Sequence, residues 1–289
     1  MPRNLAILPA ILAAVLLVAC GSEDEQPSAD AGELLAKAFD APVESGRMSL
    51  TAELQVDGIP AFGDGIEIQL NGPFTKTSAD LDVSVGGFGP GLAGGLTFAE
   101  DNVWLSVGGR AYEVGEELID ELNGDIEEQT GRDAGSLTLA SLGIDIESWL
   151  ADPRVEGDEE VSGEPVTKVV STLDASKVLA DLNAFAGSTS DTELSGDELE
   201  LFAGFAEDST VDVYVSKVDG TIRRVALELE FEVPEEARGD FGGAEGGAAA
   251  IDVTFTDIGE PQRIEPPADA RPLEDLLRQF GLGPELLLQ

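Results

Sequence analysis

The feature that most constrains the fold is the one-by-one alternation of apolar and polar residues in several segments. Between residues 48 and 56, every second residue is apolar, and the intervening ones are Ser, Thr, Glu and Gln. The same alternation recurs at residues 66–70 and 79–85. A period of two is typical of a β-strand that has one buried and one solvated face. The sequence therefore predicts an antiparallel sheet with water on one side.

Further strands are expected along the rest of the chain, at residues 96–98, 103–107, 111–114, 154–161, 165–173 and 251–255. The clearest local signal is a hairpin over residues 212–233, because Asp219-Gly220 lies between two alternating segments and is typical of a tight turn. The glycine-rich segments 86–95 and 239–250 are expected to be a break between strands and a flexible connection, respectively.

Amphipathic helices are predicted between the strands. Residues 31–40 place four apolar side chains at helical spacing, and Pro42 ends this segment. Asp174 is a candidate N-cap of another helix. Further apolar stripes with helical spacing occur in three places, within residues 115–150, at 199–205 and at 273–280.

The predicted fold class is therefore α+β. The simplest architecture is a single curved antiparallel β-sheet, a half-barrel, with helices covering its concave apolar face. We expect one domain over residues 31–270 and a C-terminal helical tail over residues 271–289.

The only cysteine of the sequence, Cys20, ends an apolar run. Arg3 and the amino terminus precede this run, and a charged start followed by an apolar stretch is typical of a signal peptide. Leu17-Val18-Ala19-Cys20 resembles a bacterial lipobox, in which the cysteine is lipidated and becomes the first residue of the mature protein. An ordinary secretion signal, or an uncleaved anchor, is the alternative.

The lipobox interpretation divides the first 30 residues into two parts. Residues 1–19 are the expected signal peptide, and residues 20–30 are the lipidated cysteine and a flexible acidic tether. The lipid would hold the protein on the extracytoplasmic face of the cell membrane.

Composition excludes several classes of function. The chain has 16 Lys and Arg against 58 Asp and Glu, a formal charge of −42, which argues against nucleic acid as a partner. It has no histidine, and one cysteine cannot build a zinc site. The acidic segments 157–160 and 195–200 do not have the ligand spacing of a calcium loop. We therefore expect no metal and no cofactor.

The motifs of common enzymes are also missing from the sequence. It contains no G-x-S-x-G, no Ser-x-x-Lys and no phosphate-binding G-x-x-x-x-G-K-[ST]. Carboxylate pairs are abundant, but nothing singles out two of them for hydrolysis. We therefore expect a protein that is not an enzyme, with no catalytic residues.

Three segments resemble the LppX/LprG group of actinobacterial lipoproteins and, more broadly, the LolA/LolB-type half-barrel. Residues 157–163, followed by a strand and Asp174, are similar to the group's G-x-E-x-V-x-G … L-D segment. Residues 214–225 resemble its turn around Asp219-Gly220, and residues 255–267 resemble its C-terminal segment. The likeness extends in order over about residues 31–270 and implies a curved sheet with an apolar cavity for acyl chains.

The resemblance implies a function and its partners. It implies a membrane-anchored envelope lipoprotein that binds a lipid or glycolipid and carries or presents it between the membrane and the outer envelope, with an export or transporter protein as a further partner. From the residues alone, a hollow interior and a packed core remain open alternatives. A sensory or accessory lipoprotein with a solid core, acting by protein–protein interaction, is the alternative function, and an acidic coat component without a ligand is a third.

The cavity candidates are aliphatic residues on the inward-facing positions of the predicted strands. Such a lining suits acyl chains, which require apolar area rather than directional polar contacts. The six candidates are Leu54, Val83, Leu105, Val213, Leu227 and Val253.

Overall fold

The computed structural model describes most of the predicted domain. The described residues are 28–59, 65–87, 91–99, 102–115, 119, 146–174, 176–178, 209–235, 238–239 and 243–279. The predictions for the signal peptide, Cys20 and most of the tether lie outside these residues, as do most of the helices predicted at 115–150 and the whole of the one at 199–205. No helix in the described ranges is long and apolar enough to cross a membrane.

Twelve strands form one sheet. They are β1 (Ser45–Asp57), β2 (Ile66–Thr75), β3 (Ala79–Gly86), β4 (Leu92–Ala99), β5 (Asn102–Val107), β6 (Arg110–Glu113), β7 (Leu150–Val161), β8 (Glu164–Leu173), β9 (Thr210–Ser216), β10 (Ile222–Glu232), β11 (Gly246–Thr256) and β12 (Arg271–Pro272). The helices given with them for the described residues are α1 (Ser28–Asp40), α2 (Ile146–Trp149) and α3 (Leu273–Gln279).

The strand order is β12-β6-β5-β4-β3-β2-β1-β11-β10-β9-β8-β7. All neighbours pair antiparallel except β12 and β6, which are parallel. The two edge strands, β7 and β12, do not pair with each other in the described part of the chain, so the sheet is open. A large, mainly antiparallel sheet with few helices confirms the coarse prediction and is compatible with a half-barrel.

Three boundaries differ from the predictions. The break predicted at 86–95 is wrong for Gly86, which ends β3, and for residues 92–95, which belong to β4. The helical stripe predicted within residues 115–150 is wrong at Leu150, which is the first residue of β7 and pairs with Leu173. The flexible connection predicted at 239–250 is wrong for residues 246–250, which belong to β11. At Gly247, an added Cβ would lie 2.3 Å from the carbonyl oxygen of Gln55 and 2.7 Å from the ring of Phe231. The glycine therefore permits close packing within the sheet, whereas composition alone suggests a loop.

This close approach predicts a stability effect. Gly247→Ala is expected to lower the free energy of unfolding by about 1–3 kcal/mol, because the backbone of β1 or the Phe231 ring must move. Chemical denaturation followed by circular dichroism measures the change. Gly157→Ala on β7 is the control, since an added Cβ there has no atom within 4 Å. Equal losses in the two variants would contradict the close-packing explanation.

The pairing register gives the sheet one apolar and one polar face. Leu50 pairs with Leu70 on one side and Val253 on the other, and Val253 pairs onward with Val225. Because directly paired residues point to the same side of a sheet, the apolar set continues from strand to strand. The intervening residues on the other face include Glu53, Glu67, Asp82, Glu228 and Asp252.

One end of the apolar face is a packed core. Ala31, Leu35 and Ala38 of α1 contact the buried valines of β8 and β9, together with Trp149 of α2. The valines that are at most 1% exposed in this cluster are Val169, Val211, Val213 and Val215. Helix α1 therefore packs against residues of β7–β9.

The C-terminal segment lies at the opposite edge of the sheet. Arg271 and Pro272 pair with Tyr112 and Glu113 of β6, and α3 follows directly. The side-chain amide of Gln279 donates a hydrogen bond to the Tyr112 hydroxyl at 3.0 Å, and Tyr112 is 1% exposed. Within the helical tail predicted from residue 271, the structure has a helix at Leu273–Gln279, which packs against the β6 edge.

A buried arginine fixes the β8–β10 hairpins. Arg223 is 6% exposed, and its Nε and Nη2 donate to the Glu164 carboxylate at 2.7 and 2.8 Å. Nη2 also donates to Asp219 at 2.8 Å, and Nη1 donates to the Thr221 hydroxyl. The hydroxyl of Ser216 donates to Glu164 as well. Three strands and the Asp219-Gly220 turn therefore share one ion-pair cluster.

Hydrogen bonds within this cluster favour the charged form of its two carboxylates, those of Glu164 and Asp219. The guanidinium of Arg223 lowers the pKa of Glu164. Burial alone would raise the pKa of Asp219, but hydrogen bonds from the Thr221 backbone N–H and from Arg223 lower it overall. Both groups are therefore ionised at neutral pH, and their pairing depends on the arginine.

Candidate functional site

The candidate site is the apolar face of the sheet between its two covered edges. All six residues predicted from the sequence point to this face. Leu54 pairs with Ala249, and Val253 pairs with Leu50. Val83 pairs with Leu70, and Leu105 pairs with Leu96. Val213 pairs with Val225 of β10, and Leu227 lies two residues further along β10 on the same face. The alternation in the sequence thus identified the face correctly.

Burial separates the six candidates into two groups. Val213 is 0% exposed and lies in the core beneath α1, where it contacts the protein's own side chains. Leu54 is 37% exposed, and Val83, Leu105, Leu227 and Val253 are half-buried. Their role in lining a lipid cavity stays a prediction.

Several large apolar side chains on the same face are exposed. They are Leu54, Ile68, Leu92, Val107 and Ile251, which we call the apolar rim. Leu92 is the most exposed of them, at 71%. Sequence reasoning placed Ile68, Val107 and Ile251 in alternating strands without singling them out, and it placed Leu92 in a glycine-rich break. Their exposure depends on what covers each strand, which a single strand's pattern does not contain.

Two clefts are lined mainly by residues of the polar face, toward the end of β1, and differ in character from the apolar face. One has a volume of about 1290 Å³ and is lined mainly by the ends of β1, β10 and β11, including Asp57, Glu230, Glu232 and Glu245. The other, of about 310 Å³, lies between Glu53, Leu54 and Glu67. Their carboxylates make them poor sites for an acyl chain, which would have to displace the water around these charges.

The polar face carries ordered ion pairs over β7–β11. Lys168 lies 2.6 Å from Glu156 and 2.9 Å from Asp212, and hydrogen bonding to Glu156 raises the pKa of Lys168. Arg224 pairs with Asp252 and lies over the ring of Tyr214, with 5.2 Å between its Cζ and the ring centroid. These charged groups therefore pair with one another on the polar face.

Metal binding finds no support in the part of the chain that the structure describes. No group of three or more Cys, Asp or Glu side chains there could hold an ion. The chemistry that the candidate site offers is therefore apolar contact.

Two solved structures are similar in fold to this chain. The lipoprotein LppX of Mycobacterium tuberculosis matches 83% of this chain and 100% of its own, with 11% identity and a TM-score of 0.46. LprF of Mycobacterium bovis matches 84% of this chain and 99% of its own, with 14% identity and the same TM-score. These two belong to the type of lipoprotein that the sequence motifs resemble. No family model and no curated protein matches the sequence.

Proposed function

We propose that the protein is a membrane-anchored envelope lipoprotein that binds acyl chains or a glycolipid against the apolar face of its sheet. It carries or presents this lipid between the membrane and the outer envelope and catalyses no reaction. The observation that carries the proposal is the continuity of the apolar face. The strand pairing extends this face from β5 to β9, and its central strands keep large aliphatic side chains exposed.

The chemistry of the central strands supports a hydrocarbon ligand. Their side chains on this face are almost all aliphatic, among them Leu54, Ile68, Val83 and Val253. Each methylene group buried against such a surface contributes about 0.8 kcal/mol, and no polar partner is needed. A long acyl chain can therefore bind tightly to a surface that makes no directional contacts.

A fluorescent fatty acid tests the proposal directly. The chain from residue 21 onward is expected to bind the probe saturably, at a small whole number of molecules per chain, and lipid extracted from cells should displace it. Absence of saturable binding, together with a specific protein partner in a pull-down, would favour the accessory lipoprotein with a solid core.

The anchor has a separate test. Cys20→Ser removes the sulfur atom that would carry the lipid. We expect this variant to lose metabolic labelling with a radioactive fatty acid and to leave the membrane fraction, or to keep an uncleaved leader. A variant that remains processed and labelled like the wild-type protein would contradict lipidation at Cys20.

A further inference from the structure

The antiparallel strands give the sheet two distinct ends. At one, which we call the Asp57 end, β1 and β5 finish and β2 and β4 begin. At the other, the Ser45 end, β1 begins and β9 turns into β10. The C-terminal segment that follows β11 starts at the Ser45 end, where the Gly259 N–H donates to the Ser45 carbonyl and the Ser45 hydroxyl donates to the Glu260 carbonyl.

The apolar rim lies toward the Asp57 end. Leu54, in the last part of β1, pairs with Ile66, the first residue of β2. Ile68 is the third residue of β2, and Leu92 is the first residue of β4. Val107 is the last residue of β5, and the two-residue turn after it leads to Arg110. Four of the five rim residues thus lie toward this end of the face, with the cation Arg110 close to Val107 on the chain, and Ile251 lies midway along β11.

Helix α1 begins at the same end. A Cβ added at Gly32, in the first half of α1, would lie 3.9 Å from Pro153. Pro153 is near the start of β7, whose first residue pairs with Leu173, the last of β8. The helix finishes at Asp40, five residues before β1 starts at the Ser45 end. Helix α1 therefore begins near the Asp57 end of the sheet and runs toward the Ser45 end.

The segment between Cys20 and α1 is short. Seven residues separate Cys20 from Ser28, the first residue of α1. Fully extended, this connection spans at most about 28 Å. A lipid on Cys20 would therefore keep the end of the sheet that carries the apolar rim close to the membrane.

We propose that the apolar rim docks on the surface of the lipid bilayer that holds the anchor, with the Asp57 end facing the membrane. This inference rests on the lipidation of Cys20 in the proposed function and adds the orientation of the domain. Leu92 and Val107 enter the interfacial region, and Arg110, which forms no ion pair with a described residue, reaches the lipid phosphates.

The acidic cleft restricts how the domain can approach. Glu230, Glu232 and Glu245 lie at the same end but on or next to β10 and β11, on the far side of β1 from Leu92, and Asp57 is the last residue of β1. Their charges favour water over the bilayer. The part of the rim on β4 and β5 is therefore the part that enters the membrane, and a lipid bound on the face would leave from this side.

Two matched positions test the orientation. Leu92 is 71% exposed at the Asp57 end, and Val218 is 75% exposed on the β9–β10 turn at the Ser45 end. The full, lipidated chain is made as Leu92→Cys and as Val218→Cys, each labelled with an environment-sensitive fluorophore, since the lipid blocks Cys20. Each protein is placed in phosphatidylcholine vesicles containing doxyl-labelled phosphatidylcholine.

The expected result is a blue-shifted emission and severalfold stronger quenching at position 92 than at position 218. Equal or reversed quenching in protein that floats with the vesicles would overturn the docking and leave the anchor intact. Protein that does not float would overturn the anchor and the docking together. A blue shift at position 92 that needs no vesicles and grows with protein concentration would identify a second copy of the chain as the occupant and overturn the proposal.

Discussion

Arg223→Met is expected to lower the free energy of unfolding by about 3–5 kcal/mol at neutral pH, because it leaves two carboxylates without their shared cation. Arg223 is buried and binds Glu164 through two nitrogen atoms and Asp219 through one. Methionine keeps an apolar stem of similar length, so the loss reports mainly on the charge. Chemical denaturation followed by circular dichroism measures the effect.

The same cluster predicts a dependence on pH. The folded pKa values of Glu164 and Asp219 are below their ordinary values. Their pairing therefore contributes stability that is fully present above the unfolded pKa, roughly 4, and is lost as the pH falls through the lower folded pKa values. In Arg223→Met this contribution is absent, so the difference from the wild-type protein should narrow below about pH 4.

A second arginine provides the matched control. Arg263 pairs with Glu265 at 2.6 Å, but its side chain is 85% exposed. Arg263→Met is expected to change stability by less than about 1 kcal/mol, because water and salt screen an exposed pair. If the Arg223 and Arg263 variants lost equal stability, burial would not be the reason for the effect.

Leu54→Glu is expected to weaken binding of a fluorescent fatty acid by at least about tenfold, since an unpaired carboxylate against a hydrocarbon chain costs several kcal/mol. Leu54 lies on the apolar face near the end of β1, which is in the middle of the strand order, and is 37% exposed. A charge there can still reach water in the unliganded protein, so folding should change little. Titration of the probe, with thermal unfolding as a check on the fold, measures both effects.

The neighbouring residue is the control for Leu54. Gln55 follows on the same strand but points to the opposite, polar face. Gln55→Glu adds the same charge one residue away, and we expect it to leave the affinity for the probe unchanged. Equal weakening by both substitutions would mean that overall negative charge, and not the apolar face, controls binding.

Most strands of the sheet, and the face to which each residue points, could be predicted from the sequence because the alternation within a strand is local. Met48, Leu50 and Leu54 show which residues share a face before any partner strand is known. The Asp219-Gly220 turn likewise fixed the pairing of β9 with β10, which the structure confirms. Local patterns of this kind do not depend on which other strands are neighbours.

The order of the strands in the sheet, and which apolar side chains are exposed, could not be predicted from the sequence. The pairing of β1 with β11 joins residues about 200 positions apart, and alternation is equally compatible with many such pairings. Val213 and Ile251 look alike in the sequence, yet one lies beneath α1 and the other is 39% exposed. Glycine content also gave a wrong prediction at residues 246–250. Gly247 lies in a strand, where it allows close packing, and not in a loop.

The central claim is that the apolar face holds a lipid that the protein's own side chains do not replace. Native mass spectrometry of the chain from residue 21 onward, purified from a bacterial host and measured before and after organic extraction, tests this claim most directly. The account predicts excess mass before extraction, its loss afterwards, and its recovery as lipid in the organic phase. An unchanged mass at the value of the polypeptide alone would contradict it.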